Sequence, residues 1–323
     1  MTDTAIRLTV AAGTVMAATL AGYVCQRLKL AGDRAARGIM TFVGVFAYPI
    51  VGGLSIWGTP LHLADIALPL SAAAHIVAMT FLSLALARFV TRDRAETGLF
   101  ATAGGTGNNG FTMGAFVLYL LYGEPGMGLS NLYILLFTPT MVLLLYPLAR
   151  HYSDAQPSAS MRKLIVSSLF DWRSAGLPVV VLGIVLSVMG VPRPPQIVTW
   201  HVLDILVFSI TPMAFFGIGL LLHFSRVHSL WRMLAGLAAV RFVLGAAVGL
   251  VLACVTWWTP LALRDLRWDV VVVQSFVPTS VTMVALANMF DLRPREASVL
   301  FVVNTTMYLL LVLPLVMWLF GGH

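Results

Sequence analysis

Ala101-Thr102-Ala103-Gly104-Gly105-Thr106-Gly107-Asn108-Asn109-Gly110 is a glycine and asparagine run inside an otherwise apolar segment from about Ala95 to Leu121. Each glycine costs roughly 1 kcal/mol against alanine in a helix interior, so four glycines within residues 104–110 predict a helix that stops and restarts. In hydrocarbon, every backbone N–H and C=O freed by such a break needs a partner inside the protein or in a water-filled cavity. The same argument applies to Gln274-Ser275-Phe276-Val277-Pro278-Thr279-Ser280-Val281-Thr282, where Pro278 removes a ladder hydrogen bond in the middle of a second apolar segment. Two interrupted segments at corresponding places in two halves of a chain point to the binding site of a transporter.

Composition agrees with a membrane setting. Of 323 residues, 59% are hydrophobic and 10% charged, which excludes a soluble domain hiding its apolar surface in one core. A formal charge of +7 would suggest nucleic acid as a partner of a soluble protein. Here the basic residues cluster in short connections between apolar runs, so the charge reads as topology and no nucleic-acid partner is expected. Cys25 and Cys254 lie in or beside apolar runs without CxxC spacing, which supports neither a disulfide framework nor a metal site. The first apolar run, Ile6 to Val24, is long enough to span and has no small-residue cleavage pattern after it, so it reads as a spanning helix and not a signal peptide.

Apolar runs fall at roughly 5–25, 35–57, 65–89, 95–121, 129–149, 174–190, 200–223, 231–257, 269–289 and 296–319, each near the ~20 residues that a bilayer requires. Connections after odd-numbered spans hold 15 of the 20 Lys and Arg residues, the other side holds Arg7, Arg193, Arg264 and Arg267, and Arg241 lies within span eight. This bias predicts cytoplasmic odd-numbered connections and two extracytoplasmic termini. The long polar connection divides the chain into a first five-helix repeat (1–150), a cytoplasmic linker (151–173) and a second five-helix repeat (174–323). An odd number of helices per half makes the repeats inverted. Landmarks recur at similar offsets: Pro49 and Pro212 are 163 apart, His75 and Arg241 166, Asn109 and Pro278 169. The expected fold class is therefore an all-α polytopic membrane protein of ten transmembrane helices, with discontinuous helices four and nine crossing at their breaks.

The thirteen acidic residues lie in connections or near span ends, whereas Arg241 sits mid-span despite a cost of roughly 2.5–3.5 kcal/mol for a central arginine. Local charge thus favours an anionic substrate, although Arg241 also fits pairing with backbone carbonyls between helices. His75, among small residues, reads as a neutral helix-to-helix hydrogen bonder. Half-helix N-termini present free N–H groups and partial positive charge suited to a carboxylate. The expected substrate-binding residues are Thr106, Asn108, Asn109, Gly110, Pro278, Thr279, Ser280, Arg241, Asn304 and Thr305, with Gln274 as a further polar group. No nucleophile–base pair or HExxH motif is present, so the chain does not read as an enzyme.

The chain resembles the auxin efflux carrier family of the bile/arsenite/riboflavin transporter superfamily, whose members include bacterial organic-acid permeases. The resemblance spans the chain and is carried by Gly44-Val45-Phe46-Ala47-Tyr48-Pro49, Asn109-Gly110-Phe111-Thr112-Met113-Gly114, Phe216-Gly217-Ile218-Gly219-Leu220, and the run from Pro278 through Leu286-Ala287, Glu296-Ala297-Ser298 and Asn304-Thr305-Thr306 to Pro314. Phe116 stands where the family usually has a proline, which leaves open whether Asn108 or Asn109 takes the ligand role. The resemblance implies a scaffold around spans one, two, six and seven and a moving crossover bundle that carries a small organic anion across a bacterial inner membrane. No cofactor is expected; the carrier is either uncoupled or coupled to an ion, H+ or Na+. A sodium-coupled symporter of the bile acid carrier type and a non-transporting receptor are the alternatives. The scaffold helices could mediate a homodimer, although no exposed motif demands one.

Overall fold

The computed structural model describes residues 3–153, 176–222 and 227–321. Most of the expected linker, 154–173, lies outside these described residues. Helices α1 (Asp3–Arg27), α2 (Arg34–Trp57), α3 (Leu63–Val90), α4 (Arg94–Gly105) and α5 (Gly114–Tyr152) come first. They are followed by α6 (Gly176–Val188), α7 (Val202–Leu220), α8 (His228–Trp258), α9 (Leu266–Ser275), α10 (Val281–Phe290) and α11 (Pro294–Phe320). Among the described residues there is no strand.

Helix occupies all ten apolar runs, but among the described residues only 6 stretches are long and apolar enough on their own to cross a membrane. Two features account for most of the difference. Helices α4, α9 and α10 have 12, 10 and 10 residues and α6 has 13, all short of the ~20 residues of a single span. Helix α5, at 39 residues, would be about 58 Å long if straight, roughly twice the hydrocarbon core. It reverses instead at Gly123, whose φ of 67° and ψ of −151° are non-helical. Gly126 consequently lies against the Leu118 carbonyl, which a continuous helix would hold about 12 Å away. Glycine supplies the positive φ, and Pro125 starts the returning arm, where its missing N–H costs no hydrogen bond.

Proline also explains three π turns. The N–H of Tyr48 reaches back to Val43 O, that of Tyr146 to Met141 O and that of Leu313 to Tyr308 O, and each donor directly precedes a proline, Pro49, Pro147 or Pro314. A proline ring has no donor and collides with the carbonyl four residues back, so the turn ahead of it widens. The fourth π turn, Ala239–Leu244 in α8, contains no proline; it carries Arg241.

Small residues set the helix contacts. Helix α1 packs on α7 where Gly22 meets the Gly219 backbone, and α6 packs on α2 where Gly183 meets Gly53. Close backbone approach through glycine is the usual device where lipid removes the hydrophobic drive for association. A leucine at Gly219 would collide with the Thr19 carbonyl and Gly22, so Gly219→Leu is expected to destabilise the fold by about 1–3 kcal/mol, read as a lower melting temperature of the purified protein in detergent.

Candidate substrate site at a helix crossing

The two breaks, residues 106–113 and 276–280, meet each other. Gly107 and Thr279 form an isolated antiparallel bridge. The Asn108 N–H donates to Pro278 O at 2.7 Å and the Ser280 N–H to Thr106 O at 3.0 Å. Each break thereby satisfies backbone groups that the other leaves open, as a low-dielectric setting requires. The remaining groups are met by side chains: the Thr279 N–H donates to Asn304 Oδ1 at 2.8 Å and the Thr279 hydroxyl to Ala103 O at 2.7 Å.

Arg241 lies under the crossing, fully buried. Its Nε and Nη2 donate to Val277 O at 3.1 and 2.8 Å, and Nη1 donates to Gly104 O at 3.1 Å. These carbonyls sit where α4 and α9 end. A helix C-terminus carries about half a negative charge, so two of them together supply roughly what one carboxylate would. Nearby, His75 Nε2 is 3.1 Å from Gly245 O on α8, a helix-to-helix contact. Gly107 has no room for a larger residue, since a Cβ there would press on the Arg241 guanidinium and the Asn109 amide.

On the other side of the crossing the helices begin. A cavity of about 1080 Å³ is lined by Arg37, Gly44 and Tyr48 from α2, by the first break including Asn108, Asn109, Gly110 and Thr112, and by Ser280, Val281, Thr282 and Asn288 from α10. The Ser280 hydroxyl caps α10 by accepting from the Thr282 N–H at 3.1 Å, while the Val281 N–H has no acceptor among the described residues. The α5 N-terminus is occupied by its own loop, because Gly114 N–H donates to Asn108 O and Ala115 N–H to Gly110 O. Free helix-terminal donor capacity therefore faces the cavity from α10.

The two asparagines differ. Asn109 forms a reciprocal amide pair with Gln274: its Nδ2 donates to Gln274 O and Oε1 at 2.8 and 2.9 Å, and Gln274 Nε2 returns a bond to Asn109 O at 3.0 Å. Gln274 Nε2 also donates to the Ser130 hydroxyl. Asn108 accepts from the Thr112 hydroxyl at 2.5 Å, and its Nδ2 has no partner among the described residues although the residue is only 3% exposed. The Tyr48 hydroxyl, with its ring 4.8 Å from that of Phe111, is likewise without a partner.

Of the ten residues expected from the sequence, Asn108, Asn109, Gly110 and Ser280 line the cavity. Thr106, Pro278, Thr279 and Asn304 belong to the hydrogen-bonded crossing behind it. Arg241 is directed to the helix C-termini, and Thr305 is buried in α11 with its hydroxyl unpartnered among the described residues. Arg37 and Tyr48 were missed as lining residues. Arg37, Met40, Gly44 and Tyr48 all line the cavity from α2, and their three- and four-residue spacing is a helical-face signal that counting Arg37 as a topology charge obscured.

A buried crossing of broken helices beside a cavity in an all-helical, apolar chain defines a membrane transport protein. The family model described as membrane transport protein matches residues 9–319, and the chain belongs to this family, that of the auxin efflux carriers. A comparison with curated proteins gave no match.

If Arg241 serves the crossing, Arg241→Met should leave the Gly104 and Val277 carbonyls unsatisfied at about 1–3 kcal/mol each and lower the melting temperature in the absence of any ligand. Arg241→Lys should fall between, keeping the charge without the planar fork. An unchanged melting temperature with lost ligand binding would assign Arg241 to the substrate instead.

Proposed function

We propose that the protein is a secondary transporter that moves a small organic anion across the membrane by alternating access, with the crossing and its cavity as the substrate site. One observation carries this reading: the α10 N-terminus and the residues Asn108 and Tyr48, each with a buried donor unpartnered among the described residues, line a cavity whose described lining contains no Asp or Glu. A carboxylate would be held there by N–H and O–H donors and by the half-helix field. The ligand role falls to Asn108, since Asn109 is committed to Gln274.

The ten-span inverted arrangement is part of the same proposal. The α1–α7 and α6–α2 contacts exchange partners between the two parts of the chain, as inverted repeats would. The π turns beginning at Met141 and Tyr308 recur at an offset of 167. The cavity runs from the crossing to Arg37 and Ser298, toward the connections that carry Lys29, Arg34, Arg293 and Arg295. On the positive-inside rule that end is cytoplasmic, which makes this an inward-facing state. Contacts at the opposite end support that orientation: Arg193 pairs with Glu124 at 2.7 Å, Tyr119 donates to Asp204, and Trp57 Nε1 donates to Val191 O at 2.7 Å. An elevator-like shift of the crossover bundle against α1, α2, α6 and α7 would release the Arg193–Glu124 and Tyr119–Asp204 contacts, while Trp57–Val191 joins α2 to the segment after α6 and would stay.

Protein reconstituted into proteoliposomes is expected to carry a labelled carboxylate down its gradient, with an imposed proton or sodium gradient identifying the coupling ion. Asn108→Ala should lower that flux at least tenfold while reaching the membrane in normal amount. Flux at the unmodified rate in this variant would sink the assignment of the site.

A further inference from the structure

Among the described residues, Arg37 is the one charged residue in the cavity lining. It is exposed and makes no hydrogen bond or ion pair among the described residues. Other arginines toward the same end are engaged: Arg293 pairs with Asp93, and Arg94 donates to the His151 carbonyl. We propose that Arg37 is a second anchor for the transported anion, which narrows the substrate class to elongated organic dianions whose two anionic groups are joined by an apolar body. This rests on the reading of the cavity as the substrate site.

Three features support it. The cavity is lined by donor-bearing residues at two separate places, Asn108, Tyr48 and Val281 at the crossing, where the Asn108 amide and Tyr48 hydroxyl are buried just behind the surface, and Arg37 three helical turns away along α2. Eleven residues separate Arg37 from Tyr48, about 16 Å of helix rise, and the reach of the arginine side chain shortens the gap to be bridged. The wall between is mostly apolar, with Met40, Phe111, Ile134, Phe137, Val284 and Met289 beside the polar Thr282, Asn288 and Ser298, so most of its area suits methylene or aromatic carbon. The volume, about 1080 Å³, is at the upper end for a drug-sized ligand. A guanidinium at the far end holds a carboxylate, sulfate or phosphate oxygen pair with its planar fork.

The test uses the full chain purified in detergent and its thermal stabilisation by α,ω-dicarboxylates from butanedioate to dodecanedioate, each against the monocarboxylate of matching length. Long dicarboxylates should bind the unmodified protein at least tenfold more tightly than their monocarboxylate partners. Arg37→Gln should erase that advantage and leave monocarboxylate affinity intact, and Arg37→Lys should recover part of it. Asn108→Ala should weaken both classes. Equal weakening of both classes by Arg37→Gln, no effect of that variant, or a preference for the shortest dicarboxylates would overturn the second anchor while leaving the site at the crossing in place. If Asn108→Ala has no effect on either class, or no carboxylate stabilises the protein, the reading of the cavity falls and the second anchor falls with it.

Discussion

Backbone groups freed inside a bilayer have no water to turn to, and the way they are satisfied at the crossing governs the rest of this molecule. Two interrupted helices exchange hydrogen bonds through Gly107 and Thr279, and the Arg241 guanidinium closes the two helix ends behind them. A buried arginine without a carboxylate would ordinarily be costly. Here the converging dipoles of α4 and α9 supply the opposite charge, so the cation and the broken helices stabilise each other.

That arrangement makes the crossing polar in one direction. Helix C-termini and their cation occupy one side, and helix starts occupy the other. On the second side, among the described residues, donor capacity is left over at Asn108 Nδ2 and the Val281 N–H. The cavity is found there, and its walls supply bulk and apolar surface without any acidic group. Under the proposed anion transport, substrate charge would be read by backbone direction more than by a dedicated basic residue at the crossing.

The breaks were legible in the sequence because glycine and proline act on the chain locally: Gly104 to Gly110 and Pro278 mark the interruptions wherever the rest of the fold goes. Apolar run lengths located the helices for the same reason. The division of labour among the polar residues was not legible. Asn108 and Asn109 are adjacent and chemically identical, and only the position of Gln274, 165 residues on, decides which amide is occupied. Arg241 pointed to an anion by its charge, but its direction depends on where two helices end in space. Tyr48 and Arg37 could have been found from helical-face spacing on α2. The reversal at Gly123 was visible only as a gap between apolar runs, since no single residue there states which way the chain returns.

The bridge between the breaks also welds two distant stretches of chain into a single mechanical part. Because Asn108 is bonded to Pro278 and Thr106 to Ser280, neither loop can shift by one residue without stripping the other of its partners. Sequence drift at one interruption must therefore be matched at its counterpart about 170 positions away, and an insertion tolerated in any surface loop would here disable both ends of the pairing at once.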